Sequence, residues 1–152
     1  MKAITIHQPW AMLIALREKH FETRGWPTKY RGSIVIHAGK QIDLQAMTVP
    51  EIKNTLIKHG ITDWTKLPYG AIVAIANLSE VWKWDNTHGV LLRGKPLHGA
   101  DDLNVRNIDE KEYVFGYYDD GRYAWELDDI QRLSVPVEAK GQQGLWNWTE
   151  ER

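Results

Sequence analysis

KAITIHQPWAMLIALREKHFETRGWPTKYRGSIVIHAGK, residues 2–40, is the stretch on which the reading of this chain turns. Lys2 to His7 alternates and carries β-branched Ile4, Thr5 and Ile6, the pattern of a short strand. Pro9 suits the first turn of a helix, where its missing N–H costs nothing. Trp10, Leu13, Ile14 and Arg17 then fall at helical spacing, with Met12 and Leu16 widening the apolar face, so a helix is expected to end near Lys19. Phe21 to Trp26 reads as a strand closed by Gly25 and Pro27. Ser33 to Ala38 reads as a buried strand stopped by Gly39.

Within this stretch, Lys19, Glu22 and Arg24 fall close to two indoles, Trp10 and Trp26. Ionic groups favour water unless a partner or ligand offsets their desolvation. Placed just before a strand of core residues (Ile34, Val35, Ile36), they look like the lining of a site. Alternate strand residues share a face, which puts Glu22, Arg24 and Trp26 on one side and Phe21 and Thr23 on the other. One reading sets Glu22 and Arg24 in a cleft that Lys19 reaches from the helix end. The other is an ordinary exposed ion pair, worth little. His7 and Gln8 sit where a strand gives way to a helix N-terminus, a place that attracts anions such as phosphate. Capping or a core-edge role is the alternative. A histidine there can also act as acid, base or donor near neutral pH.

The chain has 152 residues, the size of one compact domain, and its formal charge is −1. That charge is unevenly spread: residues 1–40 carry +5 and the remainder −6. The asymmetry suggests an anionic partner for the first part, or acidic loops such as Asp101-Asp102 and Asp119-Asp120 that balance it within the fold. With no cysteine there is no disulfide, thiolate metal site or cysteine nucleophile. The other histidines show no HxH or HExxH spacing, so no metal site is expected. No apolar run approaches the roughly 20 residues of a membrane span and no secretory signal is visible. These features point to a soluble cytoplasmic protein without a membrane partner. GxSxG, Walker and GxGxxG signatures are absent. The eight tryptophans are unusual for this length; most should be core, and exposed ones could stack on bases.

Beyond residue 40, Ile42 to His59 reads as helix, interrupted or restarted at Pro50 and stopped by Gly60. Ala71 to Trp84 is the longest strand candidate. Residues 85–107 read as an irregular surface excursion. Glu112–Tyr118 and Tyr123–Leu127 flank Asp119-Asp120-Gly121 like the arms of a hairpin, and Ser134–Ala139 and Leu145–Trp148 read as closing strands. About five to seven short strands with helices near the start give an α+β fold, expected as a small barrel with helices at one end. No repeat or linker is visible, so residues 1–152 are expected to form a single domain.

Residues 6–40 resemble the start of an ASCH domain, the module named after the activating signal cointegrator, in the version with an HQPWA opening. The family hallmark G-x-K-x-x-E-x-R reads here Arg17-Glu18-Lys19-His20-Phe21-Glu22-Thr23-Arg24, with Arg17 in place of the glycine. Arg31-Gly32 and the strand into Ala38 match as well. Tyr123–Leu127, Pro136-Val137 and Gly144-Leu145-Trp146 are similar to the closing strands of bacterial and phage-like members. The resemblance implies a PUA-like β-barrel with flanking helices beside a cleft that receives RNA, DNA or a nucleotide. By carry-over, Lys19, Glu22 and Arg24 line that cleft, and His7, Gln8 and Trp10 build its floor or neighbour it. Trp26, Lys29, Arg31 and Lys40 are added as phosphate or base contacts. Single strands are the expected ligands, because bases must be unstacked to enter a cleft. No cofactor is implied.

The resemblance also implies an enzymatic alternative with Lys19 and Glu22 as the catalytic pair. Some small relatives are amidohydrolases that remove an acyl group from the exocyclic amine of cytidine derivatives, using a lysine, a nearby threonine and a glutamate. Lys19 matches the lysine, Glu22 stands at the threonine position, and Glu80 is a candidate for the distant glutamate. Another relative is a ribonuclease. A protein-interaction surface is a third reading.

Overall fold

A computed structural model of the chain describes residues 1–94 and 104–150. Eight strands and three α-helices follow in the order β1 (Lys2–Gln8), α1 (Trp10–Ala15), β2 (Phe21–Arg24), β3 (Gly32–Ile42), α2 (Pro50–Lys58), β4 (Ala71–Asp85), β5 (Val90–Leu92), β6 (Val105–Arg106), α3 (Glu110–Val114), β7 (Tyr123–Glu138) and β8 (Leu145–Asn147) among the described residues. The strands form one mixed sheet in the order β2-β7-β4-β3-β1-β8, with β5 paired to β4 and β6 to β5. The expected closed barrel is therefore corrected to an open sheet whose path ends at β2 and β8. Both end strands are short, which limits the unpaired edge each exposes.

The chain divides into two compact units. The first comprises Met1–Lys19, Gly32–Asn77 and Asp129–Arg152; the second comprises His20–Arg31 and Leu78–Asp128.

In the first unit β1 runs parallel to β3, with Ala3 opposite Val35 and Ile4 opposite Ile36, and antiparallel to β8. A parallel pair needs a crossover, and the chain from α1 onward supplies it. Ile34 to Gly39 are buried without alternation, as expected of a strand covered on both faces. Ala3, Val35, Ile72 and Trp146 make one core cluster, with Leu133, Val137 and Trp148 packed against it. The expected helix over 42–59 is shorter: a 3-10 turn, Ala46–Thr48, precedes α2, which starts at Pro50. Proline tolerates only the first turn, so it sets the boundary.

In the second unit β2 pairs antiparallel with β7, Phe21 opposite Glu126 and Arg24 opposite Tyr123. Phe21, Trp82, Trp84, Leu91, Tyr118 and Ala124 form its core. The excursion over 85–107 contains a hairpin: Lys83 lies opposite Leu92, and the Asp85 carboxylate accepts the Thr87 and His88 N–H groups in the turn. Residues 95–103 of that excursion lie outside the described residues. The expected strand over 112–118 is corrected to α3. Asp109 caps it, accepting the Glu112 N–H at 2.8 Å, and the D-x-x-E spacing is a helix start signal that outweighs the aromatic β-propensity of Tyr113 to Tyr118. The two expected strands over 123–127 and 134–139 are one, β7, which passes through Asp129 in the left-handed region at φ 46°.

Candidate nucleic-acid interface

The hallmark charges lie at the end of α1 and along β2. α1 presents Ala11 to Ala15 to the core, all buried, and the chain then turns so that Lys19 follows within four residues of the helix end. Lys19 is 1% exposed, and its ammonium lies 5.5 Å from the centroid of the half-buried Trp10 ring. An aromatic face is one of the few apolar surfaces that attracts a cation. Trp10 in turn points its indole N–H toward Asp43 at 3.4 Å.

Gln8 is fully buried and both ends of its amide are engaged. Its Oε1 accepts the Met12 N–H at 2.9 Å, satisfying a first-turn donor of α1, and its Nε2 donates to the Pro68 carbonyl at 2.8 Å. His7 is exposed at the end of β1. Lys40 is exposed and lines a cleft of about 620 Å³ with Lys140, Trp146 and Trp148.

In the second unit, Glu22 is 8% exposed and holds the Arg24 guanidinium at 3.0 Å. The pair is more buried than the ordinary surface ion pair considered from spacing. On the opposite face of β2, the Thr23 hydroxyl accepts the Tyr117 N–H at 3.0 Å. Trp26 is 36% exposed, stands edge-on to Trp125 at 4.8 Å, and accepts the Trp125 indole N–H at its carbonyl. Lys29 is exposed. Arg31 and Arg93 clamp Glu80 at 2.7 and 3.1 Å. Burial works against the Glu80 charge, but the Val81 N–H and the two guanidiniums outweigh it and hold the carboxyl below its usual range. Arg31 also borders a cleft of about 310 Å³ with Lys83 and Tyr123.

Three groups escaped the sequence reading. Glu112 accepts both the backbone N–H and the ring Nδ1–H of His20, the residue directly after Lys19, and so ties α3 to the hallmark segment. That hydrogen bond raises the His20 pKa above its ordinary value despite partial burial. Tyr118 is 7% exposed with an unpartnered hydroxyl, and burial followed by the Glu112 charge pushes its pKa up. Glu126 receives the Trp82 indole at 3.0 Å and the Arg106 guanidinium at 3.0 Å. Only the Asp109-x-x-Glu112 cap could have been read from the sequence, and it locates α3 without indicating His20.

Comparison with known proteins decides the family. A family model of the ASCH domain matches residues 4–112. This chain belongs to the ASCH domain family. The ASCH match spans the hallmark segment and stops short of β7 and β8. Among solved structures the chain is similar to ASCH from Zymomonas mobilis, at 16% identity and TM-score 0.47, with 90% of this chain and 72% of that one covered. No curated protein matches the chain. Among the described residues of this ASCH domain, no group of three or more His, Cys, Asp or Glu side chains is placed to hold a metal ion, and no helix is long and apolar enough to cross a membrane.

Proposed function

We propose that this ASCH domain binds single-stranded nucleic acid, RNA in the first place, through its hallmark segment. Lys19, Glu22 and Arg24 are its central contacts, and His7, Trp10, Trp26, Lys29, Arg31 and Lys40 are the surrounding phosphate or base contacts. Gln8 supports the segment from beneath. The observation that carries this reading is the burial of hallmark charges: Lys19 at 1% exposure and Glu22 at 8%. Burying an ammonium and a carboxylate costs several kcal/mol each, to order of magnitude, and core packing does not ask for it. Arg24 beside Glu22 and the Trp10 ring beside Lys19 meet part of that cost within the protein, and a phosphate-bearing ligand at the segment would give the charges a use that packing does not. The positive balance of residues 1–40 fits a phosphate-bearing one.

The test is a tryptophan-fluorescence titration of wild type and Lys19→Ala with single-stranded RNA, single-stranded DNA and duplex DNA, at low and moderate salt. Salt-sensitive binding of the single strands, lost in Lys19→Ala while the fold persists, is the expected result. Absence of binding to all three ligands sinks the proposal. Hydrolysis of acylated cytidines, with Lys19 and Glu22 as the catalytic pair, is then the next activity to assay.

A further inference from the structure

Two helices of the first unit end in the same way. α2 closes on Gly60 at φ 78°, whose N–H bonds to the Ile57 carbonyl at 2.8 Å while the Ile61 N–H bonds to Leu56 at 2.9 Å. α1 closes on Arg17 at φ 61°, whose N–H bonds to Ile14 at 2.9 Å while the Glu18 N–H bonds to Leu13 at 3.0 Å. This crossed pair of hydrogen bonds is the Schellman cap. Its left-handed residue is usually glycine, because a Cβ is disfavoured there. Arg17 thus occupies a position where the backbone weighs against a Cβ, arginine's included.

The Arg17 side chain is pinned at one point. Its Nε donates to the Ile130 carbonyl on β7 at 2.9 Å. That bond uses the inner N–H and orients the guanidinium plane. The two Nη groups make no hydrogen bond among the described residues, and Arg17 is exposed. Next to it, the buried Glu18 carboxylate accepts Lys58 Nζ at 2.9 Å and His59 Nε2 at 3.1 Å, so nitrogen-bearing side chains gather where α1 and α2 end. A helix C-terminus favours a cation in its last turn, but any position of that turn would serve, and none demands the left-handed one. At Arg17 a left-handed backbone coincides with a guanidinium that one bond orients and that is open at its outer end, and such an outlier points to what the group contacts.

We propose that Arg17 is a phosphate-contacting residue of this domain, presenting its paired Nη groups to the non-bridging oxygens of a nucleic-acid phosphate. The fork of a guanidinium matches that geometry and a lysine ammonium does not. The inference rests on the nucleic-acid reading above and adds to it a contact from a position where the hallmark has glycine.

Arg17→Gly separates the two demands on this residue, since it relieves the backbone and removes the contact. Wild type, Arg17→Gly, Arg17→Asn and Arg17→Lys are each titrated with a labelled single-stranded RNA oligonucleotide over a salt series, and each is melted without ligand. Expected are melting temperatures for Arg17→Gly and Arg17→Asn no lower than wild type, affinity reduced several-fold, and a salt slope shallower by about 0.7, the share of one phosphate on a single strand. Arg17→Lys keeps most of the slope and loses part of the affinity. Wild-type affinity and slope in Arg17→Gly and Arg17→Asn overturn the inference while the nucleic-acid reading stands. Melting of both well below wild type overturns it too, because the bond to Ile130 then accounts for the arginine. Failure of wild type to bind RNA overturns both readings.

Discussion

His37 donates its Nε2 proton to the Ala139 carbonyl across 2.7 Å, and this bond sets the tautomer of a ring that the first unit has buried. The chain of donors is complete. The Trp146 indole N–H donates to Thr5 Oγ1 at 3.1 Å, the Thr5 hydroxyl donates to His37 Nδ1 at 3.1 Å, and His37 passes its own proton on to Ala139. With the imidazole neutral, each donor in this relay has an acceptor. β1, β3 and β8 are thereby joined to the end of β7 by side chains as well as by ladders.

Burial pushes the His37 pKa below its ordinary 6.5, with the Ala139 bond opposing it in part. A group whose folded pKa is depressed contributes stability that is full above the unfolded value and is lost as pH falls through the folded one. Stability should therefore fall as pH drops below about 6.5, by at most about 1.4 kcal/mol per pH unit from this residue. Urea unfolding of wild type and His37→Gln between pH 5 and 8 checks it. An acid-side slope of equal steepness in the variant would assign the loss to other groups.

His20 should act in the opposite direction. The hydrogen bond to Glu112 raises its pKa above 6.5, so its contribution is full below that value and is lost as pH rises through the folded one. The ring is half exposed, so the effect is smaller than that of a buried pair. Glu112→Gln should remove this pH dependence and cost about 1–3 kcal/mol, the usual range for disturbing a charged hydrogen bond. The measurement is the same unfolding series, and an unchanged profile in the variant would refute the pairing.

Gly141 lies against the imidazole. A Cβ there would stand 2.7 Å from His37 Cε1 and 2.8 Å from Thr5 Oγ1, and both atoms are held in the hydrogen-bonded chain. Gly141→Ala should destabilise the fold by about 1–3 kcal/mol through overpacking. Gly60→Ala, which meets nothing within 4 Å but sits at φ 78°, is the comparison in which only the backbone is strained. Equal and negligible losses at both sites would contradict the close approach at Gly141.

The Tyr118 hydroxyl is buried without a hydrogen-bond partner, whereas its ring packs 5.2 Å from Trp84 and 5.7 Å from Tyr113. Removing an unsatisfied polar atom while keeping the ring should not destabilise. Tyr118→Phe is expected to melt at or slightly above the wild-type temperature. A loss of more than about 1 kcal/mol would reveal a bond that the hydroxyl makes in solution.

Much of the fold could be read locally. The runs around Ile4, Ile34 and Ala71 carry the period and β-branching of strands, Pro50 and Gly60 bound α2 by fixed backbone preferences, and Gly60 is left-handed as a stop signal requires. Where the reading failed, over 112–118, a local cap and tertiary packing together outweighed composition. Tyr113 to Tyr118 have the composition of a strand, yet the Asp109 cap and the packing of Tyr118 on Trp84 make the segment a helix and its exit. Asp119-Asp120-Gly121 was legible as a turn, but not which elements it joins.

The amino-acid sequence by itself determined the family, through Lys19, Glu22, Arg24 and the HQPWA opening. It also determined where the strands around Ile4 and Ile34 lie, though not that they pair in parallel, because periodicity and motif spacing are local information. Only the tertiary structure decided that the sheet stays open, that Glu112 meets His20 from 92 residues away, and that Arg17 is left-handed and pinned to Ile130. Contacts of that separation follow from which strands pair and where loops close. Neither leaves a period along the chain.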